Sequence, residues 1–234
     1  MFNINKKEKF REYSISNSAS SKLVTKIFGW MFVALVLTAL TAWKVVTTES
    51  LFYMVRKSFT LLIILEFGVV IGLSFLINKI SANVAKLMFL SYAILNGFTF
   101  SVFMIIFTPM SVIFTLGLTT LIFAVMAVYG YTTKEDLSNF RSMLYVGLIV
   151  LIISSVINMF LHSTGLYWII SYMGVFIFIG LIGYDVNRIK HMVVKMSNGN
   201  TEVVEKYAIF GALQLYLDFI NLFIYLLRIF GKKN

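Results

Sequence analysis

Asp218 lies near the middle of an apolar run, Tyr207 to Ile229, that also carries Gln214 and Asn221. As a helix rising about 1.5 Å per residue, the run spans roughly 34 Å, enough to cross a hydrocarbon core of about 30 Å. A carboxyl group would then sit at the most costly depth. Gly211, Gln214, Asp218, Asn221 and Tyr225 follow a 3,4,3,4 spacing that puts them on one helical face, with Arg228 at its far end. That face cannot look at lipid. Ionisable groups inside membrane helices usually face a bundle interior or a water-filled path, which makes Asp218 a functional candidate. The simpler alternative is a neutral, hydrogen-bonded acid that only holds helices together.

Glu66, near the middle of another apolar run, carries the same two readings, and Gly68 with Gly72 forms a small-xxx-small surface expected to admit a neighbouring helix. Asp185 follows Gly180 and Gly183 in FIFIGLIGYDVNRIKH, with Gly174 just ahead of that segment, beside Arg188 and Lys190. Alone it reads as an interfacial charge. If the helix continues past Tyr184, Asp185 is drawn inward, where it could face Asp218. Two carboxyl groups sharing a low-dielectric site cannot both ionise readily, and the pair holds a proton near neutral pH. Such a pair suits a pH-sensitive latch, a cation site or an acid/base dyad.

The elements that must position these residues are membrane helices. Hydrophobic residues form 59% of the 234 and charged residues 13%, and the mean hydropathy is +0.89, a balance too apolar for a soluble domain of this size. Seven spans are expected: Leu23 to Trp43, Ser58 to Ile77, Val84 to Phe107, Met110 to Tyr131, Ser142 to Leu161, Leu166 to Tyr184 and Tyr207 to Ile229. This predicts an all-α polytopic membrane protein with one domain over residues 23–230, a basic polar tail over 1–22 and a basic end over 231–234. The first apolar run is too long for a cleaved signal, and no small-residue cleavage site follows it.

The chain has no cysteine, hence no disulfide or thiol metal site. A cytoplasmic N-terminus leaves only Lys44, Arg56, Lys57, Arg228, Lys232 and Lys233 of the 20 basic residues outside, as the positive-inside rule favours. A re-entrant last span would move three of these six inside as well. The net charge of +10 reflects this asymmetry and anionic lipid, not nucleic-acid binding, because the basic residues flank spans and form no separate patch. Usage heavy in Lys, Asn, Ile and Phe points to a bacterial inner membrane.

GLIGYDVNRIKH, followed some thirty residues later by LQLYLDFINLFIYLLRIFG, resembles the signature of the Bax inhibitor family of membrane proteins. A basic N-terminal tail, Glu66 in the second span and TTKEDLS (Thr132 to Ser138) after the fourth occur in the family's order. The resemblance implies a seven-helix bundle whose last helix is central and ringed by the other six. It also implies a pH-sensitive calcium leak controlled by a di-aspartyl pair, here Asp185 and Asp218, which are also the residues to which calcium would be attracted. Bacterial relatives can carry an arginine at the cytoplasmic end of the second helix that latches onto the aspartate of helix six. This chain offers only Lys79 there, a point charge rather than a bidentate fork.

Two other classes compete with a channel. The Asp185 and Asp218 placement matches that of intramembrane aspartyl proteases, but Leu215, Tyr216 and Leu217 replace the glycines expected before the second aspartate, and Pro109, the sole proline, excludes a PAL motif. Two distant histidines, His162 and His191, build neither a zinc triad nor a serine dyad. No GxxxxGK[ST] is present to drive transport, so any flux is passive and no enzyme activity is expected. The remaining alternative is a non-conducting regulator that binds another membrane protein, such as a membrane protease.

Overall fold

The computed structural model describes residues 2–77, 79–196 and 201–234, with side chains described from Ser21 to Met192 and from Thr201 onward, Asn78 excepted. The described residues form α1 (Phe2–Val46), α2 (Glu49–Leu76), α3 (Ala82–Ile106), α4 (Pro109–Thr132), α5 (Arg141–Leu161), α6 (Thr164–Met196) and α7 (Thr201–Phe230), with a 3-10 turn at Leu137–Phe140. All seven helices are long and apolar enough to cross a membrane. The protein is an all-helical integral membrane protein, as its composition dictates. In hydrocarbon, backbone groups must be satisfied within the segment, which a helix alone achieves without closing a barrel.

Local chemistry sets the boundaries. The Ser81 hydroxyl accepts from the Val84 N–H at the start of α3, and the Thr108 hydroxyl accepts from the Ser111 N–H ahead of Pro109, whose missing N–H costs nothing in a first turn. Asp136 caps the 3-10 turn by accepting from the Ser138 N–H at 2.9 Å. Backbone and side-chain donors of Ser138 together hold that exposed carboxyl below its ordinary range. α5 ends at His162, which adopts a left-handed conformation with φ of 50°. The Asn158 side chain then accepts from the Ser163 N–H, supporting the reversal.

α7 is the most buried helix. In its apolar window 67% of residues are buried, against 6% for α2 and 11% for α5. Its packing partners are α1, α3, α4 and α6, whereas α2 packs chiefly on α3 and α5 chiefly on α6. The expected ring of six helices around the last one is therefore replaced by four neighbours and two outer helices. Six partners do not fit when α2 and α5 reach their neighbours' backs instead. Large apolar side chains on those outer helices, such as Phe67, Phe75, Ile149 and Phe160, are exposed, as a lipid-facing surface requires.

The core around α7 is aromatic and hydrogen-bonded. Tyr216 is fully buried and receives the rings of Phe89 and Tyr92 edge-on, each centroid 5.8 Å away. Its hydroxyl meets the Thr38 hydroxyl at 2.7 Å, and Thr38 lies 2.9 Å from the carbonyls of both Ala34 and Ala93. Carbonyls only accept, so Thr38 donates to one of them and Tyr216 donates to Thr38. One hydroxyl pair thereby joins α1, α3 and α7.

Close helix approach depends on glycine. A Cβ on Gly97 would stand 2.6 Å from the Thr41 Cβ and 2.8 Å from the Thr38 carbonyl, so only glycine lets α3 lie this close to α1. A Cβ on Gly130 would collide with the Gly183 carbonyl, fixing the α4–α6 crossing. Gly68 behaves differently: it faces open space, and Gly72 meets only the flexible end of Met88. The small-xxx-small surface expected on α2 therefore admits no neighbouring helix backbone. Spacing alone could not tell a packed glycine face from one turned outward.

Two outcomes check this packing. Gly130→Ala lowers the thermal stability of the detergent-solubilised protein by about 1–3 kcal/mol, the usual cost of overpacking a rigid contact, whereas Gly68→Ala is neutral or stabilising by up to about 1 kcal/mol through helix propensity. A double-mutant cycle of Thr38→Val and Tyr216→Phe yields a coupling of about 0.6–1.7 kcal/mol, the range for interhelical hydrogen bonds in membranes. Additive unfolding energies would show that the hydroxyl pair does not join the helices.

Candidate functional site

α6 continues without a break past Tyr184 to Met196, which carries Asp185 into the bundle instead of leaving it at an interface. Three of its glycines each receive a different neighbour. The Tyr225 ring of α7 lies against Gly174, Leu144 of α5 against Gly180 and Met126 of α4 against Gly183. The side chain of Asn187 donates to the Gly130 carbonyl at 3.2 Å, tying the same stretch of α6 to α4. These contacts fix the height and rotation of α6 beside α7.

The result is a pair of facing acids. Asp185 and Asp218 are each 5% exposed, and their carboxyl groups lie within hydrogen-bonding reach of each other. Asp185 Oδ1 and Asp218 Oδ2 are buried and accept from no N–H or O–H donor of another side chain or backbone group among the described residues. The cation bearing on Asp185 is Arg188, one turn further along α6. Tyr145 of α5 lies within electrostatic reach of both, with the Arg141 guanidinium 5.8 Å from its ring centroid. Such a pair holds together while it shares a proton and repels when both groups ionise.

The remaining polar face of α7 extends from this pair in both directions. Gln214 is half-buried and makes no hydrogen bond among the described residues. Asn221 donates to the Leu217 carbonyl of its own helix at 2.8 Å. Tyr225 stacks on Phe178 of α6 with centroids 5.8 Å apart, and the Arg228 guanidinium sits 5.2 Å from the Tyr225 ring and 5.7 Å from that of Tyr167. An aromatic layer thus lies between Asp218 and Arg228.

Two other expected residues stand apart. Glu66 accepts a hydrogen bond from the Thr99 hydroxyl at 2.5 Å, across the α2–α3 contact. Lys79 is exposed and takes part in no ion pair among the described residues. Arg188, on the same helix as Asp185, supplies the positive charge that a latch would have drawn from α2.

Sequence reasoning missed Glu205. This residue binds Lys26 of α1 and Lys86 of α3, both at 2.5 Å, and so clips three helices together at one end of the bundle. Lys86 also lies 5.8 Å from the Trp30 ring centroid. Its signal was the assignment of Lys26 and Lys86 to one membrane side with an acid just ahead of the last apolar run. The opposite end is closed differently. After α7, Lys233 pairs with Phe107 in an isolated antiparallel bridge, and the Thr108 N–H donates to the Lys232 carbonyl at 2.9 Å. The helix therefore runs from the α2–α3 end to the α3–α4 end, crossing the whole bundle in 30 residues without a break.

Comparison with known proteins agrees with this architecture. Residues 20–234 match the family model described as inhibitor of apoptosis-promoting Bax1. The inner membrane protein YbhL of Escherichia coli K12 is 42% identical over 214 residues, covering 90% of this chain and 92% of the relative. A Borreliella burgdorferi protein is 43% identical over 217 residues, covering 92% and 93%, and the Rickettsia prowazekii protein RP147 is 35% identical over 215 residues, covering 91% and 90%. With the match running through all seven helices, the chain is a member of the Bax inhibitor family.

Proposed function

We propose that this protein is a passive, pH-sensitive calcium leak in a bacterial inner membrane, with its N-terminus in the cytoplasm and the Asp185–Asp218 pair as its gate. The observation that carries the reading is the burial of two facing carboxyl groups within hydrogen-bonding reach of each other, with no N–H or O–H donor of another residue against Asp185 Oδ1 or Asp218 Oδ2 among the described residues. Shared between them, a proton fastens α6 to α7. Its loss leaves two like charges in a poorly screened site, and their repulsion favours a looser packing of the two helices.

The stacked Tyr225 and Phe178 rings stand across the α6–α7 interface in the closed packing, so separation of the helices would also unblock the polar face toward Arg228. Calcium suits hard carboxylate oxygens but takes about six to eight ligands. Among the described residues no third acid or histidine joins the pair, so calcium would pass as cargo, in brief contact with Asp185 and Asp218. The crowding of basic residues at the Lys26–Glu205–Lys86 end supports a cytoplasmic placement of that end, and the Escherichia coli relative is named as an inner membrane protein.

Calcium entry into proteoliposomes across pH 5 to 8 tests the proposal. Wild-type flux rises with pH, by up to about tenfold per unit, the limit for one titrating proton. Asp185→Asn and Asp218→Asn each leave a single ionisable carboxyl, so no like-charge repulsion can develop, and both give low flux that changes little with pH, while circular dichroism and gel filtration report a folded protein. Absent flux, or flux indifferent to both aspartates, would sink the leak and leave a non-conducting regulator of another membrane protein.

A further inference from the structure

At the end of the bundle that holds the C-terminal tail, a half-open cavity of about 400 Å³ lies between α2 and α3. Phe52, Arg56 and Phe59 line it from one face of α2, and Val102, Ile105 and Ile106 from one face of α3. Deeper in the bundle the same helices are joined by the Thr99–Glu66 hydrogen bond. The walls are apolar except for one guanidinium. Arg56 is exposed and forms no ion pair among the described residues.

The charges around the mouth share its sign. Lys44 and Lys57 lie at this end, and the backbone pairing of the tail with residues 105–108 brings Lys232 and Lys233 to the helix end that forms one wall. Glu49, two turns of α2 away from Arg56, is the acidic residue of this end. A groove with five apolar walls and an unpaired cation, cut into the side of a membrane-crossing bundle, matches a molecule with a hydrocarbon chain and an anionic head.

We propose that the α2–α3 groove binds an anionic phospholipid. One acyl chain lies against Phe52, Phe59, Val102, Ile105 and Ile106, and the phosphodiester meets the Arg56 fork, whose planar donors suit phosphate oxygens. The surrounding lysines favour an anionic headgroup over a zwitterionic one. A zwitterionic lipid would fill the groove but bring its own cation to a positive mouth. The site does not depend on whether the protein conducts calcium.

The test uses the full chain, stripped of lipid in a nonionic detergent and titrated with phosphatidylglycerol, phosphatidylcholine or glycerol 3-phosphate. Native mass spectrometry counts bound lipid, and thermal melting reports its effect. Phosphatidylglycerol is expected to bind at one per chain and raise the melting temperature more than phosphatidylcholine, while glycerol 3-phosphate leaves it unchanged. Arg56→Gln, at an exposed position that leaves the fold intact, weakens phosphatidylglycerol binding by about fivefold, the worth of one cation at a membrane surface. Arg56→Lys restores most of it, and Val102→Trp, checked for folding by circular dichroism, fills the groove and weakens lipid binding. Equal binding of the two lipids, or unchanged phosphatidylglycerol binding in Arg56→Gln, overturns the proposal. A shift with glycerol 3-phosphate as large as that with phosphatidylglycerol also overturns it, by showing a free-anion site without an acyl chain.

Discussion

A transmembrane helix with a polar face must be hidden from lipid, and the arrangement of the other helices follows from that need. In water, Gln214, Asp218, Asn221 and Tyr225 would cost little on an exposed face. In hydrocarbon each unsatisfied group costs several kcal/mol. Four helices therefore pack against α7, and the two least buried, α2 and α5, form an outer layer whose only demands are length and an apolar surface. The burial gradient from α7 to α2 is a gradient of polarity, since lipid is as good a solvent for leucine as a protein core is.

Packing of this kind has little hydrophobic drive behind it. Helices in a bilayer gain from close contact and from hydrogen bonds, not from leaving water. That is why glycine and hydroxyl groups appear where backbones cross. Gly97 brings α3 onto α1, Gly130 and Gly183 bring α4 onto α6, and the Thr38–Tyr216 pair locks α1, α3 and α7. The facing acids depend on these distant contacts. Were α6 rotated by one residue, about 100°, Asp185 would leave α7 altogether.

The two ends of the bundle are secured by different means. Glu205 gathers Lys26 and Lys86 at one end, where headgroups and water screen the charges. At the other, backbone hydrogen bonds between the tail and the α3–α4 turn hold the end of α7. An ionic clip and a backbone clasp on the same helix leave its middle, around Asp218, as the segment whose packing is decided by side chains alone.

Seven apolar runs and the buried face of α7 were legible in the order of residues, because the bilayer fixes the length of a span and a 3,4,3,4 spacing fixes a face. The partners of that face were not. Gly68 and Gly72 have the spacing of a packing surface yet face outward or touch only a flexible methionine, because spacing shows which residues share a side and not which helix lies there. Lys79 makes no ion pair among the described residues, while Glu205, just ahead of the apolar run, proved to join three helices. Sequence alone determined that Asp218 must be hidden. Only the tertiary structure decided that Asp185 hides with it, because the rotation of α6 is set by glycine contacts and the Asn187 hydrogen bond to helices far away in the chain.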